Sequence, residues 1–503
     1  MTSSETLESP EVAEPQDERV VRRHRRMPRA LAALLAVTAV LGLTWTLVVP
    51  PFQAPDEPAH VAYVQSLAER GKLPGEEGRD FWSTEQRLGA DAAKSERTAQ
   101  LLYSRPEWSN AAHEGWLRRS ERLSDTARED GGGVNPASPN PPLYYLLETV
   151  PYRVASSGDL FARLTAMRLV SVLFLLITVG ATWLLAGTVF GPRRELQFAA
   201  AAVPALMPMV TAVASSVSPD SLLYALWSLA FWLGARVLLK GARPVEVAGL
   251  LAVAGLAVVT KSTSYALLPP VALVLAISAW RVRGSRRTVA RLVVVGLVAF
   301  AATAGTWYVV ARINDRPAAA QLIEAERPPD FNEREFASYV WQYYLPRLPF
   351  MNDYPPFDRL PSVYEIFFKQ GWGAFGWLEV LYPERLYWVL GLLTLVVAAG
   401  ALVALVKHRR SLSLPLLAFL ALSVLGLIGG LHWNEYRLAE SRGILVNQGR
   451  YLFPLIALAG LAAAAALTAL PTRWRGPALG IFLGSLTSLQ LYAIGLVATR
   501  FYA

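Results

Sequence analysis

The run Pro50-Pro51-Phe52-Gln53-Ala54-Pro55-Asp56-Glu57-Pro58-Ala59-His60 sets two adjacent carboxylates directly behind an uncharged apolar stretch long enough to cross a bilayer. An acid held at a membrane surface can take a proton from an attacking hydroxyl, or hold a divalent cation against a phosphate. Asp56 and His60 stand four residues apart, the spacing that shares one helical face, and the prolines stiffen the exit from the apolar stretch. Asp56, Glu57 and His60 also offer metal ligands, though without a diagnostic spacing. The same acids suit the first turn of a short helix, where they complement its dipole. Capping and chemistry both fit this run, and His60 by itself reads as a structural histidine.

Three further positions carry the same two-sided reading. Asp220, in Ser215-Ser216-Val217-Ser218-Pro219-Asp220-Ser221, fits a helix start and equally a second acid. Lys261 opens Lys261-Ser262-Thr263-Ser264-Tyr265, either as a cation snorkelling to the interface or as a substrate contact. Arg450 and Tyr451 stand in Gln448-Gly449-Arg450-Tyr451-Leu452-Phe453-Pro454 at a helix entrance, where Arg450 can grip a phosphate bidentately or anchor among headgroups. Tyr144, in Asn140-Pro141-Pro142-Leu143-Tyr144-Tyr145, and Trp377, in Trp372-Gly373-Ala374-Phe375-Gly376-Trp377-Leu378-Glu379, offer ring faces to a sugar or prenyl chain. About a third of the chain's aromatic residues fall between Phe331 and Trp388, a density that an interfacial belt also explains.

The elements that must position these residues follow from composition. Hydrophobic residues make up 53% of the 503 residues and charged residues 17%, with a mean hydropathy of +0.32, which excludes an ordinary soluble protein. Eleven apolar segments of roughly crossing length are read at 29–49, 163–190, 196–216, 220–239, 245–260, 264–280, 288–311, 386–406, 412–431, 450–470 and 476–499. The pair within 245–280 is short enough to form a tight hairpin. The expectation is an all-α polytopic membrane protein of about 11 transmembrane helices with two large extracytoplasmic segments.

Orientation follows from the Lys/Arg bias of the short loops. With the N-terminus cytoplasmic, Arg22 to Arg26, Arg193, Arg194, Lys240, Arg243, Arg281 to Arg287, Lys407 to Arg410, Arg473 and Arg475 all fall inside. The net charge of +9 is then a matter of topology, and no basic module calls for a nucleic-acid partner. Keeping that parity places the stretch near 141–157 as an interfacial helix lying in the headgroup region. The organisation expected is a disordered cytoplasmic tail at 1–28, a first, uncleaved transmembrane helix at 29–49, and an extracytoplasmic loop at 50–162. Helices 2–7 follow within 163–311, an aromatic-rich extracytoplasmic loop at 312–385, and helices 8–11 within 386–503. The chain has no cysteine, so thiol chemistry is excluded.

Taken in order, Pro55-Asp56-Glu57-Pro58-Ala59-His60, Asn140-Pro141-Pro142-Leu143-Tyr144-Tyr145, Phe375-Gly376-Trp377-Leu378-Glu379 and Gln448-Gly449-Arg450-Tyr451-Leu452-Phe453-Pro454 resemble a family of bacterial polytopic membrane proteins without an assigned activity. More distantly the layout is similar to the GT-C superfamily of glycosyltransferases. That resemblance implies a multi-pass protein of the plasma membrane that moves a sugar from a polyprenyl-phosphate donor to an envelope glycan or glycolipid acceptor on the outer face. By the same carry-over Asp56 is the main catalytic acid, with Glu57 adjacent and Asp220 the second acidic position; on the reading of the residues themselves, His60, Tyr144, Lys261, Trp377, Arg450 and Tyr451 are the expected substrate contacts. A divalent cation is the one cofactor this chemistry invites. Relatives with a comparable Pro-Pro motif carry Lys or His where this chain has Asn140. A lipid-linked glycan transporter or flippase is the competing reading, although the ionisable residues collect at one edge and not at the midplane where transporters place them. A non-catalytic envelope-assembly scaffold is the third.

Overall fold

The computed structural model describes residues 27–94, 108–314, 332–351, 362–442 and 447–502. Most of the tail at 1–28, and part of the loop at 312–385, lie outside them. The chain is all-α, with a single two-stranded ribbon pairing Ala374 with Leu381 and Phe375 with Val380 among the described residues. Its first helix, α1 (Arg29–Val48), is followed by five short helices: α2 (Glu57–Arg70), α3 (Thr84–Ala92), α4 (Asn110–Ser120), α5 (Thr126–Glu129) and α6 (Leu143–Val154). The helical body then runs through α7 (Leu160–Phe190), α8 (Arg194–Leu206), α9 (Pro208–Ala214), α10 (Asp220–Lys240), α11 (Pro244–Val258), α12 (Leu268–Arg281) and α13 (Arg286–Ile313). After α14 (Glu333–Tyr344) and α15 (Gln370–Trp372) it closes with α16 (Glu384–Lys407), α17 (Leu414–Arg442), α18 (Ile456–Ala469) and α19 (Thr472–Tyr502).

Nine helices among the described residues are long and apolar enough to cross a membrane. The segment expected at 196–216 is not one rod but the pair α8 and α9, bent by 61°. The break follows from Pro208, which can neither extend α8 nor let Met207 stay helical, and Met207 is accordingly extended. The short segments within 245–280 become α11, only 15 residues long, and α12, entered through a 3-10 turn at Ser262–Leu267. A 15-residue helix rises about 22 Å, less than the hydrocarbon thickness.

The α6 helix explains why the stretch near 141–157 is ambiguous in sequence. Tyr144, Tyr145, Glu148 and Tyr152 turn inward and are buried, while Leu146, Leu147, Val150 and Val154 form an exposed apolar stripe. Such a stripe on a short helix fits a lipid-facing surface and does not span.

One buried ion pair fixes where the first loop begins. Arg168, two turns into α7, donates from Nε to Glu57 Oε1 at 2.8 Å and from Nη2 to Glu57 Oε2 at 2.6 Å. The same guanidinium reaches the carbonyl oxygens of Thr46, Val49 and Pro50 at 3.0, 2.6 and 3.0 Å. It thereby satisfies carbonyls that the end of α1 leaves without helical partners. Glu57 Oε1 also accepts from the Val217 amide at 3.1 Å, bringing the turn before α10 into the same knot. The residue before Glu57, Asp56, adopts a left-handed backbone at φ 60°, a region that Asp tolerates better than most residues. Its side chain makes no capping bond to α2, so it is turned elsewhere.

Breaking this knot leaves a buried charge without its partner, at a cost of about 3–5 kcal/mol. Glu57→Gln is expected to lower the thermal stability of the detergent-solubilised protein strongly. Fluorescence-detected size exclusion after heating measures it, and an unchanged melting profile would show that Arg168 is served by the backbone carbonyls alone.

Candidate functional site

Three chain segments bring their ends together beside Asp56. Asp220 opens α10, Lys261 precedes the 3-10 turn after α11, and Arg450 lies in a 3-10 turn, Gly449–Leu455, that leads into α18. The backbone at Gly449 passes so close to α15 that a Cβ there would stand 2.4 Å from the Gly371 amide nitrogen. Only glycine permits that approach, and it sets Arg450 against Asp56.

The contacts form an alternating chain of charge. Arg450 Nη2 pairs with Asp56 Oδ2 and Nη1 donates to the Pro55 carbonyl at 3.3 Å. On its other side Arg450 Nε faces Asp220 Oδ2 at 3.7 Å, and Asp220 Oδ1 accepts from Lys261 Nζ at 2.6 Å. Lys261 Nζ also lies 4.9 Å from the centre of the Tyr451 ring, within cation–π range. The four formal charges cancel, as burial demands. The partners are unequally accessible: the Arg450 and Asp220 side chains are each 3% exposed, Lys261 16% and Asp56 41%.

Asp56, His60, Lys261, Arg450 and Tyr451 form one wall of a cavity of about 620 Å³. The same cavity is lined from α17, where Gly426, Leu427, Gly430 and Leu431 present apolar surface and Asn434 a carboxamide. Asp220 stands behind Arg450 and Lys261 and does not line the space. A cavity lined by both charged and apolar groups suits a ligand with an anionic head and an apolar body.

His60 is held by a second set of contacts. Its Nδ1 lies 2.9 Å from the Tyr145 hydroxyl, which also receives a hydrogen bond from Asn140 Nδ2 at 3.0 Å. Tyr63 stacks on Tyr145 with ring centres 3.8 Å apart and donates to the Asn140 carbonyl at 3.1 Å. The direction of the His60–Tyr145 bond follows the tautomer: an imidazole protonated on Nε2 accepts the Tyr145 hydrogen at Nδ1, and one protonated on Nδ1 donates to the Tyr145 oxygen. Burial, reinforced by Lys261 and Arg450 against the opposing pull of Asp56 and Asp220, lowers the His60 pKa to about 4. Burial raises that of Asp56, but Arg450, His60 and Lys261 together outweigh it and leave the carboxyl below its ordinary value. At neutral pH the cavity wall thus carries an ionised Asp56 beside a neutral His60.

Three residues expected at the site are not there. Glu57 turns from the cavity into its bond with Arg168. The Tyr144 ring is buried at the α6–α7 contact with its hydroxyl 2.9 Å from Ser171 Oγ. Trp377 donates from Nε1 to the Phe52 carbonyl at 3.2 Å, tying the two-stranded ribbon to the first loop. The contributions of Tyr145, Asn140 and the α17 wall are additions. Asn140 and Tyr145 belong to the Pro-Pro motif itself, and adjacent tyrosines on a helix differ by about 100° in direction, so the motif alone does not say which faces His60. With Glu57 engaged, no group of three acids or histidines able to hold a metal gathers among the described residues. Asp56 and His60 alone are too few donors for a cation held entirely by protein groups.

The chain belongs to the family of predicted membrane proteins DUF2142, whose profile matches residues 39–459. No curated protein matches it. Its structure is similar to that of ArnT from Cupriavidus metallidurans bound to undecaprenyl phosphate, at 16% identity and a TM-score of 0.49, covering 94% of this chain and 74% of that one. Against ArnT in the apo state the figures are 15% identity, 0.47, 90% and 62%, so the chain spans less than two thirds of that protein's length. The archaeal oligosaccharyltransferase AglB from Archaeoglobus fulgidus, in complex with an inhibitory peptide and a dolichol-phosphate, matches at 12% identity with a TM-score of 0.48, covering 93% of this chain and 55% of that one.

The titration of His60 has a definite sign. Its folded pKa, about 4, lies below the unfolded value near 6.5, so the unfolded chain takes up a proton first as pH falls. Stability is therefore complete above about pH 6.5 and declines toward pH 4, by at most ~1.4 kcal/mol per pH unit. Asp56, depressed below its ordinary value, contributes only at lower pH. Melting temperatures of the wild type and His60→Gln between pH 7 and 4.5 test this, the variant losing most of the slope; parallel curves would mean that His60 does not titrate across that window.

Proposed function

We propose that this protein is a membrane glycosyltransferase that moves one sugar from a polyprenyl-phosphate donor to an envelope glycan or lipid acceptor on the extracytoplasmic face of the cell membrane. The observation that carries the reading is the meeting of one accessible carboxylate, Asp56, with two cations, Lys261 and Arg450, in a cavity also lined by an apolar membrane helix. A sugar joined to a lipid phosphate has the matching order of groups: apolar chain, anion, then reacting carbon.

In this mechanism Asp56 accepts the proton of the acceptor hydroxyl as that oxygen attacks the anomeric carbon. The bond from that carbon to the phosphate oxygen breaks, and its electron pair leaves on the polyprenyl phosphate. Arg450 and Lys261 neutralise the charge that develops there, and attack opposite the leaving group inverts the anomeric centre. Asp220 holds Lys261 and backs Arg450, a positioning role, while the neutral His60 ring lines the cavity beside Asp56, where it can hydrogen-bond the acceptor or sugar. Glu57, bound to Arg168, takes no part beyond setting the place of Asp56.

Replacing the base while keeping its shape separates this reading from a transporter or a scaffold. Asp56→Asn is expected to lower transfer from a polyprenyl-phosphate sugar in proteoliposomes by about 10²–10⁴-fold, with the chain still folded and inserted. Normal donor consumption by this variant would remove Asp56 as base, and tolerance of Asp56→Asn, Asp220→Asn and Arg450→Gln alike would favour a scaffold.

A further inference from the structure

The cations of the cavity are already paired, and this bears on how an anion enters. Besides Asp56, Arg450 is contacted from three sides, by a hydrogen bond to the Pro55 carbonyl, by the charge of Asp220 3.7 Å behind Nε, and by the Tyr451 ring, whose centre lies 5.6 Å from its guanidinium carbon. Asp56 is not surrounded in this way. Its carboxylate makes no capping bond to α2, its one ion pair is with Arg450, and it faces the cavity from the more accessible side of that pair. The two partners therefore differ in freedom: the guanidinium is built into the wall, and the carboxylate can leave it by side-chain rotation.

Resting on the glycosyl-transfer reading above, we infer that the donor phosphate and the Asp56 carboxylate exchange on Arg450. Before an anion enters, Asp56 completes the neutralisation of the buried guanidinium, which would otherwise have to share Asp220 with Lys261. A phosphate monoester or diester entering the cavity takes that place, since its oxygens match the guanidinium edge as well as a carboxylate does. Asp56, displaced and now beside an anion, turns to the acceptor side as a free carboxylate. No covalent bond changes in this step, and one anion replaces another on the same cation. The consequence is order: the base is released only when the group that must leave is seated, so an acceptor alone meets an occupied Asp56. Asp220 takes no part in the exchange, because it lies behind the wall and holds Lys261.

Binding of farnesyl phosphate to the purified full-length protein in detergent, followed by calorimetry at fixed salt, tests this. If Asp56 competes for Arg450, Asp56→Asn binds the probe at least ~10-fold tighter than wild type, and Asp56→Ala does the same. Adding Arg450→Gln to either variant removes the gain, and Asp220→Asn changes affinity much less than Asp56→Asn. Unchanged or weaker binding by both Asp56 variants overturns the exchange while leaving polyprenyl-phosphate recognition intact. Equal tightening by Asp220→Asn also overturns it, since net charge alone then explains the gain. Failure of the wild type and every variant to bind the probe overturns the exchange and the donor assignment together.

Discussion

The Glu57–Arg168 pair is the contact on which the site depends. It joins the end of α1, the start of α2, the third turn of α7 and the turn before α10 in one buried knot. A buried ion pair of this kind contributes little net stability, because desolvation offsets most of the attraction. Its value here is positional. Asp56 is covalently next to Glu57 and Asp220 follows Val217 by three residues, so the knot sets both acids of the charged chain, the one that lines the cavity and the one behind it. Arg450 then arrives from the opposite end of the sequence, held by the glycine-only contact of its turn with α15.

Above the knot the charges alternate along Asp56, Arg450, Asp220 and Lys261, and the sum is neutral. In a poorly hydrated wall each member depends on its neighbours, so a change at one is felt by all. The graded accessibility of the set is as informative as its composition. Deep members serve as a frame, and the half-exposed Asp56 is the one able to change partners. The α17 face supplies the apolar complement, and Gly426 lets it approach the turn after Lys261, where a Cβ would stand 2.9 Å from the Ala266 carbonyl oxygen.

Much of this was legible in the sequence for a definite physical reason. Hydropathy at crossing length is a strong, local signal, and it located the long helices. Loop charge supplied a parity that grouped Asp56, Asp220, Lys261 and Arg450 although up to 394 positions separate them. What escaped depended on direction and partner. Glu57 has the same residue type as a catalytic acid, and only Arg168, 111 positions away, decides its role. The choice between Tyr144 and Tyr145 rests on helix phase, and the placing of Trp377 on a hydrogen bond to a carbonyl that has no sequence signature. The bend at Met207 was written locally, in Pro208, but hydropathy averages over a single proline.

Where the phosphate sits decides between glycosyl transfer at this cavity and any other use of it. An experimental structure of the full-length protein with a polyprenyl phosphate bound measures this directly. The phosphorus is expected in the cavity between Lys261 and Arg450, within ion-pair distance of both, with the prenyl chain leading away from the charged wall. A phosphate seated elsewhere, with the Asp56–Arg450 pair intact and the cavity unchanged, would contradict transfer at this cavity.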